Sequence, residues 1–543
     1  MQEKNIELHS VKIGCLPIID AFIEKMKLHH FLKKAVGNEG YADALLILLK
    51  NILIDRNALY AIKEWAKQFD LHLGDGSEVG DDRLGRALER LFEADRATLQ
   101  TQVVLSVVRE FELKMDQIHS DTTSIPVTGR YDNQDEKAVQ LKRGHSKNRR
   151  PDLKQLVYNL CVSRDGAVPI HFKTYDGNRT DDTIQLETWN SIRTLLQTSK
   201  FTYVGDSKTC VSETLMKIDE EHGEFVTLVP RTRSEVGDFT DALERGDVRW
   251  EQILRKRSLR HGSEFDTFES AQGPYQLKEG FHLYWYRSSQ KRKRDAEDRK
   301  NRIDRAWEKL ESWDLKRIRG PKTEKALRGR IDALLRRYKV QDWLEVEIKM
   351  DVDEKFKATT CGKPTEETRY RRIVNKMPRL HIRKIAEAIA RSQLMDGIFP
   401  LTTNSKTADS LATLKIYKYQ PHIEKRHAFL KSILGVAPVW LKKNIRIEAL
   451  MFIEYLAQMT AALIERELRE QMQSKNIKLL TSLPEGRPSA TPTFEQLLRL
   501  FEGCQRHELF ENDQMMKSFA IDLSPVQLQI LSLLTVPQSR YGC

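Results

Sequence analysis

Cysteine is scarce: six in 543 residues, Cys15, Cys161, Cys210, Cys361, Cys504 and Cys543, and no two of them form a C-x-x-C pair. Their scatter argues against a zinc ribbon or a disulfide framework and points to a reducing cytosol. No basic-then-apolar signal pattern opens the chain at MQEKNIELHS. Long apolar runs are missing too, since the longest, ALLILLKNILI after Tyr41, is interrupted by Lys50 and Asn51 and is too short to span a bilayer. The expectation is a soluble, cytoplasmic protein. Acid is short relative to base, 78 Asp+Glu against 90 Lys+Arg, which leaves a net charge of +12. The excess is concentrated: from Arg287 to Lys339 stand 20 Lys+Arg against 9 Asp+Glu. A clustered basic excess favours a polyanionic partner, and nucleic acid fits best.

The chain is long enough for two to four domains. Residues 1–110 read as a helical N-terminal domain and a possible DNA-binding module. Leu16, Ile19, Phe22, Ile23 and Met26 recur at helical spacing, as do Leu84, Leu88 and Leu91. From Met115 the pattern turns to strands. MDQIHSDTTS runs towards Asp121 and then supplies hydroxyls instead of apolar bulk, so the strand is expected to end at an acid. Two β-rich runs around Arg164-Asp165-Gly166 predict an antiparallel hairpin. Asp181 and Asp182 are placed to cap a following helix, FTYVGDSKT reads as a strand terminating at Asp206, and EFVTLVPRT reads as another strand.

Residues 232–395 then interrupt the strand order. Strand candidates at Phe281–Tyr286 and Trp343–Met350 flank a basic helical hairpin, one arm marked by Ile303, Ala306, Trp307 and Leu310, the other by Leu327, Ile331, Leu334 and Tyr338, with a break at Gly320-Pro321. GIFPLTTN predicts a further strand, Ser405 to Leu434 a helix, and Arg446 to Met472 an apolar helix against the sheet. The Pro/Ser-rich SLPEGRPSATP reads as a linker, and the final fifty residues as helical. The fold class is α/β, with catalytic-core segments at 111–231 and 396–473, the insertion at 232–395, and a linker and helical tail at 474–543.

Within IYKYQPHIEKRHAFLK, the residues Tyr417, Gln420, Glu424 and Lys431 are spaced so that one helix would carry them as a single stripe. A charged stripe with one Tyr is ordinarily a solvated surface. Two strand-end aspartates, Asp121 and Asp206, single it out, because acids preceded by apolar strand runs are far rarer than acids on helix surfaces. Three carboxylates of this kind suit phosphodiester chemistry, in which Mg²⁺ takes hard oxygen ligands.

HSDTTS, VGDSKT and Tyr417-x2-Gln420-x3-Glu424-x6-Lys431 together resemble the catalytic regions of DDE transposases of bacterial insertion sequences, in particular the branch with a Tyr-Arg-Glu-Lys signature. GHSKNRRPDLKQLVYNLCVS and DGNRTDD resemble the same branch, and the likeness runs from about Val11 to Arg469. It implies a ribonuclease H-like mixed sheet flanked by helices, interrupted before the last acid, with Asp121, Asp206 and Glu424 as the catalytic metal-binding triad and Mg²⁺, or Mn²⁺, as cofactor. Tyr417 and Lys431 match positions that contact transposon-end phosphates. Gln420 stands where the family has Arg, exchanging a bidentate charged donor for a neutral one. Pro421 is expected to start, kink or break the helix. Lys208, Lys147, Arg149 and Arg150 are further expected contacts to double-stranded DNA. The implied activity is two-metal phosphoryl transfer: a cut at the element's end by water, then attack of the freed 3′-hydroxyl on target DNA, with a homodimer bringing two ends together. The alternatives are an inactive DNA-binding remnant and a metal-dependent nuclease of the same fold. His119 shares a strand face with Asp121 and reads as a packed, supporting residue.

Overall fold

Ile118 and Ile125 are fully buried on a strand whose polar residues, from Ser120 to Ser124, are also largely enclosed, the pattern of a central strand covered on both faces. The computed structural model describes residues 6–71, 79–147, 150–180, 183–257, 264–313, 324–359, 361–363, 365–366, 368–436, 441–482, 486–512 and 514–542. They divide into two compact units, Met1–Leu228 with Thr403–Thr407 and Ala412–Cys543, and Val229–Thr402 with Ala408–Leu411.

The first unit begins with strand β1 (Ile6–Lys12) and the helices α1 (Leu16–Lys25), α2 (Leu28–Val36), α3 (Glu39–Ile54), α4 (Ile62–Ala66), α5 (Asp81–Glu93) and α6 (Arg96–Glu110). Asn38 and Asp95 cap α3 and α6 by accepting from the Tyr41 and Thr98 amides at 3.0 and 3.1 Å. The predicted stripe of Leu84, Leu88 and Leu91 is buried. Next come β2 (Gln117–Val127), β3 (Lys154–Ser163), β4 (Pro169–Tyr175), α7 (Gln185–Leu196), β5 (Thr202–Gly205), α8 (Ser212–Glu220) and β6 (Glu224–Leu228). These strands lie in the order β4-β3-β2-β5-β6, with β2, β5 and β6 parallel and the β2–β3–β4 meander antiparallel, so the sheet is mixed. The hairpin turn falls at the predicted Arg164-Asp165-Gly166, with Gly166 at φ +76°.

The second unit holds α9 (Ser234–Arg245), β7 (Trp250–Arg257), β8 (Phe265–Ala271), β9 (Tyr275–Gln276), β10 (His282–Ser288), α10 (Ser289–Glu311), α11 (Glu324–Tyr338), β11 (Leu344–Ala358), β12 (Tyr370–Lys384), α12 (Ala386–Leu394) and β13 (Ile398–Thr403). Strands β13-β10-β8-β7 are neighbours, and β11 pairs with β12 alone. The two arms of the predicted helical hairpin are α10 and α11, and Ile303, Ala306, Leu310, Leu327 and Ile331 form their seam. The proposed break at Gly320-Pro321 lies outside the described residues, as do the capping aspartates Asp181 and Asp182.

The chain then returns to the first unit with α13 (Ser410–Tyr417), α14 (Pro421–Ser432), α15 (Asn444–Ser474), α16 (Phe494–Phe501), β14 (Gln505–Glu511), β15 (Gln514–Phe519) and α17 (Pro525–Leu534). Helix α15 is long and apolar enough to cross a membrane, yet 94% of its apolar window is buried inside the protein, as in the core helix of a soluble protein. Its Phe452 and Tyr455 pack on Phe172 of β4 at 5.6 and 4.6 Å between centroids.

Three expectations are corrected here. The tail is not wholly helical, because β14 and β15 form a three-stranded sheet with β1, a strand the helical reading of the N-terminus passed over. Strand β1 has no partner nearby in sequence, its ladder being to β14 near the other end of the chain, so its pattern alone is weak. The helix expected from Ser405 to Leu434 is two helices, because Pro421 has no N–H to donate and takes the first position of a new one. Strand β2 does not end at Asp121 but continues to Val127, paired with β3 throughout.

Candidate carboxylate site

Asp121 lies mid-strand on β2 but just past the end of that strand's parallel pairing with β5. The β2–β5 register matches Gln117 with Thr202, Ile118 with Tyr203 and His119 with Val204. Continued two residues, it sets Asp121 level with Asp206, the first residue after β5. Two acids thus stand level on neighbouring strands just past the end of their parallel pairing, Asp121 within β2 and Asp206 just after β5, about 5 Å apart between strand axes.

The chain must turn sharply after Gly205, and the turn is pinned. The Asp206 carbonyl accepts from the Thr209 amide at 3.0 Å and from the Thr227 hydroxyl at 2.6 Å, and its Oδ1 accepts from the Lys208 amide at 2.9 Å. Only glycine fits before it, since a Cβ on residue 205 would stand 1.9 Å from Thr209 Oγ1. Lys208 itself is exposed. Asp121 Oδ1 accepts from the Thr122 amide at 2.8 Å, and Oδ2 lies 3.6 Å from His427 Nε2.

Helix α14 brings the third acid. Its buried face is Ile423, Arg426, His427 and Leu430, while Glu424 is exposed. Arg426 locks it in place, donating to the carbonyls of Ala167 and Gly166 at 3.0 and 2.9 Å and pairing with the buried Glu465 of α15 at 2.9 Å. Gln458 of α15 donates to the Arg426 carbonyl at 2.6 Å. Glu424, His427 and Lys431 follow one another at steps of three and four, so a single stripe of α14 carries all three.

Tyr417 ends α13. Its hydroxyl is pushed above its ordinary value, first by burial and then by the negative charges of Asp206, Glu424 and Asp121. All three predicted acids therefore lie within electrostatic reach of one phenol. Lys431 is pulled down to about 8 by burial and by the charge of Lys147, with Asp121 opposing. His427, fully enclosed, is lowered to about 3 by burial and by the charges of Lys431 and Lys147, so it is neutral at pH 7.

The remaining predicted contacts divide. Lys147 is anchored to β2, its Nζ donating to the Thr122 carbonyl and hydroxyl at 2.6 and 2.8 Å and its amide to Ser124 Oγ at 3.0 Å. Arg150 is exposed and makes a fork to Asp152 at 2.9 and 2.8 Å. Arg149 lies outside the described residues.

Gln420, expected at a DNA surface, is buried. Its Oε1 meets His119 Nδ1 at 2.8 Å and its Nε2 donates to the Ser120 carbonyl at 3.0 Å, so the amide ties the start of α14 to β2. Because Pro421 starts a new helix, the expected four-residue stripe is split, with Tyr417 at the end of α13 and Glu424 and Lys431 on α14. His119 is lowered to about 4, mainly by burial, and its imidazole supports Gln420 as a neutral Nδ1–H donor.

His427 and Arg426 escaped the sequence reading. The first had a signal, three residues after Glu424 and four before Lys431. The second had none, since a basic residue on an apparently charged helix looks solvent-facing until its partners on the hairpin and α15 are known.

Among the described residues, no three His, Cys, Asp or Glu side chains stand close enough together to hold one metal ion. The donors around Tyr417 are carboxylate oxygens, which suits Mg²⁺, an ion that takes one or two carboxylates and keeps its waters in preference to a full protein cage.

No family model matches the chain, and no curated protein matches it. Among solved structures it is similar to a piggyBac transposase in a synaptic complex with hairpin DNA, over 83% of this chain and 80% of that one, at 10% identity and a TM-score of 0.28. A likeness this slight fixes neither fold in detail nor function.

Proposed function

We propose that this protein is a DNA transposase of the DDE type, with a ribonuclease H-like core, that cuts at the ends of a bacterial insertion sequence and joins the 3′ ends to target DNA. The observation that carries the reading is the β2–β5 register, which sets Asp121 level with Asp206 on adjacent strands. The charges of both and of Glu424 act on the Tyr417 hydroxyl, which supports the third acid. Each carboxylate comes from an element whose seat is fixed by buried bonds, which is the preorganisation that phosphoryl transfer requires.

Divalent metal, bound by these carboxylates, would supply charge neutralisation at the phosphoryl oxygens. The chain's own residues do the positioning. Lys431 and Lys147, both within electrostatic reach of Asp121's surroundings, form the cationic side of the site and suit a backbone phosphate. His427, neutral and enclosed beside Asp121, keeps water from that side of the carboxylate. Two copies, one at each DNA end, complete the reaction in this reading.

The test is strand cleavage and joining on DNA carrying the element's terminal repeats, with and without Mg²⁺ or Mn²⁺. Asp121→Asn, Asp206→Asn and Glu424→Gln are each expected to abolish both steps while leaving the melting temperature near that of the parent. Full activity in any one variant removes that residue from the site. A non-catalytic DNA-binding remnant is the second reading, favoured by the lack of a three-carboxylate cluster among the described residues. It predicts salt-sensitive DNA binding with no metal-dependent cleavage.

A further inference from the structure

The β11–β12 ribbon runs for fifteen paired residues on each strand, from Leu344 opposite Lys384 to Ala358 opposite Tyr370. Directly opposed residues share a face, so the even-numbered positions of both strands form one surface. At its base that surface is apolar and covered: Leu344 and Val346 are buried, and Ile348, Leu380 and Ile382 pack against the core of α10 and α11. Beyond the helices the same face continues with Met350, Val352, Phe356, Val374 and Tyr370, and there it is exposed, Phe356 at 65% and Val352 at 56%. From Met350 to Ala358 is eight residue steps, about 27 Å of ribbon at the usual strand rise.

The charge on this stretch is one-sided. Strand β12 carries six basic and no acidic residues among its fifteen. Three acids of β11 are engaged across the ladder, Glu354 with Arg372, Asp351 with Arg379 at 3.3 Å and Glu345 with Arg383 at 3.1 Å, and Glu347 pairs with Lys349 on its own strand. Lys355, Lys357, Arg369 and Arg371 stand exposed towards the tip.

We infer that the distal half of the β11–β12 ribbon is an arm that lies in a groove of duplex DNA, its even-numbered Phe356–Tyr370 face against the groove floor. The long side chains of Lys355, Lys357 and Arg371, rooted on the opposite face, and of Arg369 at the tip reach round the ribbon's edges to the phosphates. A two-stranded ribbon fits the major groove, which is about 12 Å wide. Apolar side chains interleaved with basic ones suit contact with base edges and methyl groups as well as phosphates. A second copy of the chain is the weaker occupant. Two-fold pairing of ribbon edges through β12 would set two strongly basic strands against each other, whereas a duplex is complementary to both. The identity of the partner rests on the transposase reading above; the arm's location does not touch the carboxylate site.

The experiment uses the full chain and a 30-base-pair duplex of arbitrary sequence, read by fluorescence anisotropy across a salt titration. The combined variant Lys355→Gln, Lys357→Gln, Arg369→Gln, Arg371→Gln is expected to lower the slope of log affinity against log salt by about 3 to 4, at roughly 0.9 per phosphate contact, and to weaken binding at least ~tenfold. The pair Phe356→Ser with Tyr370→Ser is expected to weaken binding with the slope unchanged. Circular dichroism and the melting temperature, unchanged in both, exclude misfolding. An unaltered slope and affinity in the charge variant overturns the arm. So does conversion of a dimer to a monomer by Phe356→Ser with Tyr370→Ser while DNA binding stays at the parent level, which would make the ribbon an interface between copies. Ribbon-dependent binding in a protein that never cleaves sinks the transposase reading and leaves the arm standing. Cleavage without ribbon dependence does the reverse.

Discussion

Gln420→Ala separates two roles for one residue. If Gln420 met DNA at the surface, its loss would weaken DNA binding and leave stability within about 0.5 kcal/mol. In the structure its carboxamide is buried and accepts from His119 Nδ1 at 2.8 Å while donating to the Ser120 carbonyl at 3.0 Å. Truncation strands both partners, at about 1–3 kcal/mol for each buried polar group left unmet. His119 is poorly placed to recover, because its Nε2 is already buried with no hydrogen-bond partner among the described residues. The expected loss is ~2–4 kcal/mol, read by urea unfolding at pH 7. Metal-dependent cleavage should fall as well, since the start of α14, and with it Glu424, loses its tie to β2. Gln420→Arg, the residue of the resembling family, should fare no better here, since it would place a guanidinium against a buried imidazole. A Gln420→Ala protein as stable as the parent but weakened for DNA would refute this account and return the residue to the DNA surface.

Glu454 in α15 is fully enclosed, both carboxylate oxygens lack a hydrogen-bond partner among the described residues, and Arg56 Nε lies 3.4 Å away; burial raises it to about 8, with Arg56 opposing. A raised carboxyl favours folding in its protonated form, so stability is greatest below the unfolded value and falls as pH rises through 8. Glu454→Gln should therefore be more stable than the parent by a few kcal/mol at pH 8.5, with the difference vanishing near pH 4.5; equal unfolding midpoints at pH 8.5 would contradict this. Gly205→Ala should cost about 1–3 kcal/mol and reduce cleavage, because its Cβ would collide with Thr209 Oγ1 and displace the turn that holds Asp206; a variant of parental activity and melting temperature would show that the turn yields freely. Arg426→Met leaves Glu465 buried and deprived of this partner, with an expected loss of about 3–5 kcal/mol, and a calorimetric shift much smaller than that would mean α14 is held chiefly by its apolar face.

Much of the local structure was legible in the chain. The hairpin turn at Arg164-Asp165-Gly166, the strand that stops at Asp206 and the two arms α10 and α11 all follow from short-range rules: turn residues, apolar runs and helical periodicity. Pro421 announced the break between α13 and α14, because a residue without an N–H cannot sit inside a helix without loss. Strand β1 was not legible, since its ladder to β14 crosses almost the whole length of the chain, and the local β14–β15 hairpin lies in a stretch that reads as helical.

What the sequence determined alone is the set of chemically capable residues: acids after apolar strand runs, a basic balance, and the order in which they occur. Which of them meet was decided only by the tertiary structure. The β2–β5 register sets Asp121 level with Asp206, while the Arg426 bonds to the hairpin and Glu465 fix the seat of α14, which carries Glu424. The same packing withdrew Gln420 from the surface and brought His427 beside Asp121. Burial and pairing depend on partners far along the chain, 301 residues for His119 and Gln420, and no local pattern encodes such a distance.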